Sequence, residues 1–191
     1  MKKLLLISLF SSIAFFSKAQ LIKSAKPTET FSKTLSIIVL DYKNNFVNIQ
    51  QKELAASVGN NIFNSSVCLP GALHCTITRY NSLQDKSASW QATLFAGESY
   101  EDALKAYKNI FSQVKHTSIT GIDKMSVGFD GVMEKPDENI RFTVSALKLN
   151  AADPQYKNFT ADVELTNNME GWEVHLNLYR KKADTEGNTI E

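Results

Sequence analysis

The sequence predicts an α+β domain: an antiparallel sheet of about six to seven strands with two amphipathic helices on one face. Three observations carry this. Residues 31–49 and 100–114 place apolar side chains at helical spacing. Residues 159–165 and 172–178 alternate apolar with polar side chains almost without a break. Such one-sided alternation marks a sheet with one covered and one wet face. Finally, the segments fall in blocks, in the order helix, three strands, helix, three or four strands, rather than alternating one for one.

The chain opens with Lys2 and Lys3, an apolar run from Leu4 to Phe16, and Ser17-Lys18-Ala19. This is the layout of a secretory signal peptide, with cleavage expected between Ala19 and Gln20. The apolar run is short of the roughly 20 residues a membrane span needs. The expected organisation is a signal peptide at 1–19, a single domain at 20–180 and a flexible tail at 181–191, with the mature chain periplasmic or secreted. Without Lys2, Lys3 and Lys18 the chain carries 18 basic and 20 acidic side chains. That balance gives no electrostatic reason to bind nucleic acid or an anionic membrane.

The first helix starts at Lys26-Pro27-Thr28-Glu29, with Thr28 as the cap and an acid in the first turn. Its stripe is Phe31, Leu35, Ile38, Val39, Tyr42, Phe46 and Ile49, and its end is expected between Asn45 and Gln51. A hairpin follows, 61–68 and 74–82 around Pro70-Gly71, then a third strand at 87–97. Ser99 caps the second helix, 99–115, with Glu101 and Asp102 in its first turn and Lys115 in its last. Strands are expected at 140–149, 159–166 and 172–179, with 125–133 as a glycine-interrupted fourth. Trp90 and Trp172 read as core residues. The strings DYKNNF at 41–46 and AYKNIF at 106–111 raise the idea of two related halves, each a helix followed by strands.

Cys68 and Cys75 are the only cysteines. In an oxidising compartment such a pair forms a disulfide. A four-residue loop, Pro70 to Leu73, would set Cys68 directly opposite Cys75, within bridging range. The rival readings fare worse: Cys68, His74 and Cys75 make only three zinc ligands at unusual spacing, and a redox pair wants two intervening residues rather than six.

No G-x-S-x-G, H-E-x-x-H or phosphate-loop motif is present. Ser112-Gln-Val-Lys115 matches S-x-x-K but falls at a helix end, away from the dipole that would activate it. No catalytic residue and no cofactor is therefore assigned. One polar patch stands out. If residues 167–170 form a four-residue loop, Asp162 faces His175 and Glu164 faces Glu173. These four groups are a candidate binding or divalent-metal patch, set against the plainer reading of a solvated outer face.

Leu-Pro-Gly-Ala at 69–72, W-x-A-x-L-F-x-G at 90–97 and Y-x-x-A-x-x-x-Y at 100–107, behind a leader ending in Ala-Gln, resemble small exported proteins of Bacteroidota. The resemblance implies export and a shared fold and transfers no site residue. The expected function is a non-catalytic extracytoplasmic binding module for a protein or small-molecule ligand. The alternatives are an envelope-acting hydrolase centred on His175 and a chaperone-like or inhibitor domain pairing through a sheet edge.

Overall fold

The computed structural model describes residues 26–81, 86–122 and 125–181. The expected signal peptide, and the expected tail apart from Lys181, lie outside the described residues.

Helix α1 (Glu29–Asp41) starts as the sequence predicts, with the Thr28 hydroxyl accepting from the Phe31 N–H at 3.1 Å. It buries Phe31, Leu35, Ile38 and Val39. It stops at Asp41, short of the expected 45–51. Two 3-10 turns, Tyr42–Asn44 and Val47–Ile49, carry the chain onward. Between them Asn45 (φ 55°) and Phe46 (φ 58°) are left-handed, a costly conformation for a bulky side chain. Side-chain bonds hold this corner. The Asp41 carboxylate accepts from the Asn48 N–H at 3.1 Å and from the Asn44 and Asn48 amides at 2.9 and 2.6 Å. Asn45 accepts from the Ala88 N–H at 2.7 Å and donates to the Lys86 carbonyl at 3.1 Å. Phe46 and Ile49 thus reach the core beyond the end of the α-helix.

Nine strands follow in the described residues: β1 (Gln50–Ser57), β2 (Asn60–Ser65), β3 (His74–Tyr80) and β4 (Ala88–Gly97), then, after helix α2 (Tyr100–Lys115), β5 (Ser118–Ile122), β6 (Met125–Asp130), β7 (Phe142–Leu149), β8 (Phe159–Asn168) and β9 (Gly171–Arg180). All pairs are antiparallel, in the order β1-β2-β3-β4-β9-β8-β7-β6-β5. Two meanders, each preceded by a helix, meet at β4 and β9. The α+β class and the single antiparallel sheet hold. The strand count and element order need correction: four strands follow α1 and five follow α2, not three and three or four. The added strands are β1 and β5. Residues 51–56 of β1 are exposed on both faces, so no alternation marks that strand. Strand β5 is short and breaks register beside Gly121, whose φ is 101°.

Helix α2 is capped by the Ser99 hydroxyl, which accepts from the Asp102 N–H at 3.3 Å. It buries Ala103, Tyr107, Ile110, Phe111 and Val114 and packs against β4, β8 and β9. The Tyr100 and Trp172 rings lie 4.9 Å apart, and Tyr42, just past α1, lies 4.6 Å from Phe159. Both helices therefore cover one face of the sheet, made by Trp90, Ala92, Phe159, Ala161, Val163, Leu165, Trp172, Val174, Leu176 and Leu178. Trp90 and Trp172 are buried there, as expected. The strings at 41–46 and 106–111 share letters but not backbone: the first is the left-handed exit from α1, the second lies inside α2. No helix in the described residues is long and apolar enough to cross a membrane.

Candidate functional site

The face opposite the helices is set by the same pairings. One row across it runs His74, Thr93, His175 and Glu164, on β3, β4, β9 and β8. The next runs Thr76, Gln91, Asn177 and Asp162. A third brings Tyr179 opposite Thr160, and Thr160 opposite Lys148 of β7. Register along β4 shifts between Thr93 and Phe95. The extra residue of this bulge leaves Thr93 beside His175 on the open face while Phe95 pairs with Val174 on the covered one. Bulges often re-aim side chains at sites in this way.

The register of β8 on β9 differs from the expected one by two residues. The loop is Met169-Glu170 rather than residues 167–170, with Asn168 opposite Gly171. Asn168 accepts from the Glu170 N–H at 2.8 Å, which tightens the turn. Gly171 has φ 120°, and a Cβ there would lie 2.7 Å from the Gly97 carbonyl oxygen, so only glycine fits. As a result Glu164 faces His175, Asp162 faces Asn177 and Glu173 faces Thr166. The four expected residues share one face, but the two glutamates do not oppose each other.

A chain of hydrogen bonds runs through the first row. The Thr93 hydroxyl lies 3.0 Å from His74 Nε2 and 3.1 Å from His175 Nδ1. His175 Nε2 lies 3.0 Å from the Glu173 carboxylate. Both nitrogens of His175 are thereby spent, and among the described residues no three His, Cys, Asp or Glu side chains converge to hold a metal ion. Beside this chain, the Tyr179 hydroxyl donates to Asp162 Oδ2 at 2.7 Å. Asp162 Oδ1 is buried with no hydrogen-bond partner among the described residues. Burial raises the Asp162 pKa above the ordinary carboxylate value, against the Tyr179 hydrogen bond and the Lys181 charge, which lower it. Burial likewise raises Glu164, against its hydrogen bond from Asn177. The Tyr179 phenol is pushed up by burial first and by Asp162 second. Asp162 is only 8% exposed and Thr93 only 2%, while Glu164, Glu173 and His175 are half-buried.

The Cys68–Cys75 disulfide is present, with Cα atoms 5.5 Å apart. It does not join directly opposed strand residues. Pairing of β2 with β3 stops at Asn64 and Thr76, and the loop takes eight residues, 66–73. The Ala72 N–H closes a turn onto the Leu69 carbonyl at 3.1 Å, Leu69 is buried, and the Leu73 N–H donates to the Thr93 carbonyl at 2.8 Å. The bond therefore ties this loop to β3 immediately beside His74. Sequence reasoning found His175, Asp162, Glu164 and Glu173. It missed Thr93, Asn177 and Tyr179 and did not join His74 to them. The available signal was their alternation with buried residues on β4 and β9.

Comparison with protein families, curated proteins and solved structures finds no match to this chain.

Proposed function

We propose that the protein is an exported, non-catalytic binding module whose ligand sits on the open sheet face, over His74, Thr93, His175, Asn177 and Asp162. The observation that carries this is the Asp162 carboxylate, buried with one oxygen that has no hydrogen-bond partner among the described residues, on the face opposite α1 and α2. An unsatisfied buried acceptor costs stability, and a structure that keeps one has a use for it other than folding. The disulfide and the absence of a membrane-crossing helix in the described residues fit a periplasmic or secreted location.

One observation favours the hydrolase reading: Glu173, His175 and Thr93 stand in the order carboxylate, imidazole, hydroxyl. Against it, the Thr93 hydroxyl is bonded between two imidazoles rather than paired with one base and left free as a nucleophile. The edge-pairing reading finds less. Strand β1 carries Lys52 and Glu53 and two register breaks, both of which blunt an edge, and β5 packs against α1.

Native mass spectrometry of the protein isolated from its own cell envelope, beside a His175→Ala/Asn177→Ala variant, tests the proposal. The expected result is a chain starting at Gln20 with a ligand adduct that the variant lacks. A wild type free of adduct, or an adduct carried equally by both proteins, overturns it.

A further inference from the structure

Strand β1 is one edge of the sheet and, among the described residues, pairs with β2 alone. The other edge, β5, packs against α1. Charge and irregularity keep an edge from pairing with another chain. On β1 both devices sit in the first half: Lys52, Glu53 and two register breaks, the second ending at Ala55. Ala55, Ala56 and Ser57 then pair in unbroken register with Ile62, Asn61 and Asn60. From Leu54 to Thr78 the sequence holds no Asp, Glu, Lys or Arg. Leu54 is 53% exposed and Val58 fully so, with Ala55 and Ala56 exposed between them.

Neighbouring bonds fix which backbone groups face outward. The Asn81 N–H donates to the Gly59 carbonyl at 2.7 Å, and the Tyr80 N–H to the Ser87 carbonyl at 3.0 Å. Along an antiparallel ladder, successive residues bond to opposite sides. Asn61 therefore bonds toward β3 and Asn60 toward β1. Ser57 turns inward to Asn60, and Ala56 turns its N–H and carbonyl outward, away from β2. Such groups in an apolar, uncharged setting are a template for another strand. Lipid would cover the side chains and leave these groups without a hydrogen-bond partner.

The length of this opening selects the occupant. It covers residues 54–58 only, between the charges at 52–53 and the Val58-Gly59 turn. A longer strand from another protein would run on past Lys52 and Glu53 and their register breaks. A second β1, laid antiparallel about a two-fold axis through Ala56, ends where those begin, because its own turn comes opposite Leu54 and Glu53. The side chains suit this pairing. Leu54 and Val58 bracket two alanines, so each leucine meets the valine of the other copy, and no like charges face each other across the axis. We infer that two copies of this chain associate edge to edge through residues 54–58 of β1, their Ala56 backbones exchanging hydrogen bonds. The axis stands normal to the sheet, so both open faces look the same way; the association does not depend on what those faces bind. So short a contact makes a weak, concentration-dependent dimer.

The test is sedimentation equilibrium over a wide concentration range on wild type, Ala56→Pro and Val58→Lys, with amide hydrogen exchange measured alongside. Proline removes an N–H that faces away from β2, and position 58 lies on an exposed turn, so both variants should keep the fold; circular dichroism checks this. Should proline unfold the hairpin, Val58→Lys decides alone. Wild type is expected to pass from monomer to dimer as concentration rises, with exchange of the Ala56 amide slowing over the same range. Each folded variant should weaken the dimer at least tenfold. A wild type that stays monomeric overturns the inference, as does a dimer that either folded variant keeps at full strength. A monomer that floats with phosphatidylcholine vesicles gives the edge to lipid. One whose Ala56 amide slows only in envelope extract gives it to a strand of another protein. Either of these also overturns the second copy as occupant.

Discussion

His175 and Leu176 are neighbours on β9 and belong to different worlds. Leu176 is wholly buried under α2 among Ala92 and Val163, where apolar area dominates and the buried polar pair, Ser145 with the Tyr107 hydroxyl, is hydrogen-bonded. His175 shares the opposite face with Thr93, Glu164 and Glu173, where each buried atom must find a partner or leave a debt. The covered face is what makes the domain fold. The open face carries a paired imidazole chain, two carboxylates raised by burial and one orphan oxygen, none of which a minimal sandwich of helices and sheet requires. Where burial and polarity coincide without repayment, selection for something other than stability is the simplest physical account.

The largest effect should come from the covered face. Leu176→Ala is expected to cost about 3 kcal/mol, by lost transfer energy and a cavity between β4 and β8. His175→Ala, one residue away, should cost less, about 1–2 kcal/mol for the Thr93 and Glu173 groups it leaves unpaired, yet abolish the ligand adduct. Urea unfolding of both variants measures the gap, and equal costs would erase the distinction between the faces. Next comes the staple. Cys68→Ser/Cys75→Ser should lose about 2–3 kcal/mol, the value for so small a ring. It should also broaden the amide signals of His74 and Thr93, which the loop holds through the Leu73 bond. Unchanged signals there would make the bond a stabiliser with no bearing on the site.

Much of the covered face was legible in the sequence, because alternation along 159–165 and 172–178 needs no knowledge of the partner strand. Register was not. It depends on the Asn168 side-chain bond and the left-handed Gly171, which shorten a turn that residues 167–170 could also have filled. Strand β1 was hidden for a different reason: with both faces in water, residues 51–56 have no pattern to read. In the site, His175 and Asp162 were visible as odd residues on an alternating strand. Thr93 was not, since a threonine in a strand reads as ordinary β preference. Its role arises from partners 19 and 82 residues away in sequence, and only pairing brings them together.

A smaller effect separates shape from hydrogen bonding on the open face. Thr93→Val keeps the volume and β-branching but removes the hydroxyl between two imidazoles. It is expected to cost about 1–2 kcal/mol, the penalty for unpaired, partly buried groups. Thr93→Ser should stay nearer wild type. If valine proves neutral, the imidazoles find water instead and the chain is no structural unit.

The smallest effect has the opposite sign and tests the debt itself. Burial raises Asp162 above its ordinary value of 3.8, with Glu164 beside it on β8, Tyr179 donating from β9 and Lys181 as the nearby cation. For an acid so shifted, ionisation penalises the folded state. The penalty is present above the folded pKa and is relieved as pH falls through that value toward 3.8. Asp162→Asn keeps an oxygen to accept from Tyr179 and removes the charge. It should therefore be slightly more stable than wild type at pH 7, with the two denaturation midpoints converging toward pH 4. A variant less stable than wild type at pH 7 would mean that the carboxylate is held by a donor worth more than its burial costs. The open face would then be built, like the covered one, for stability alone.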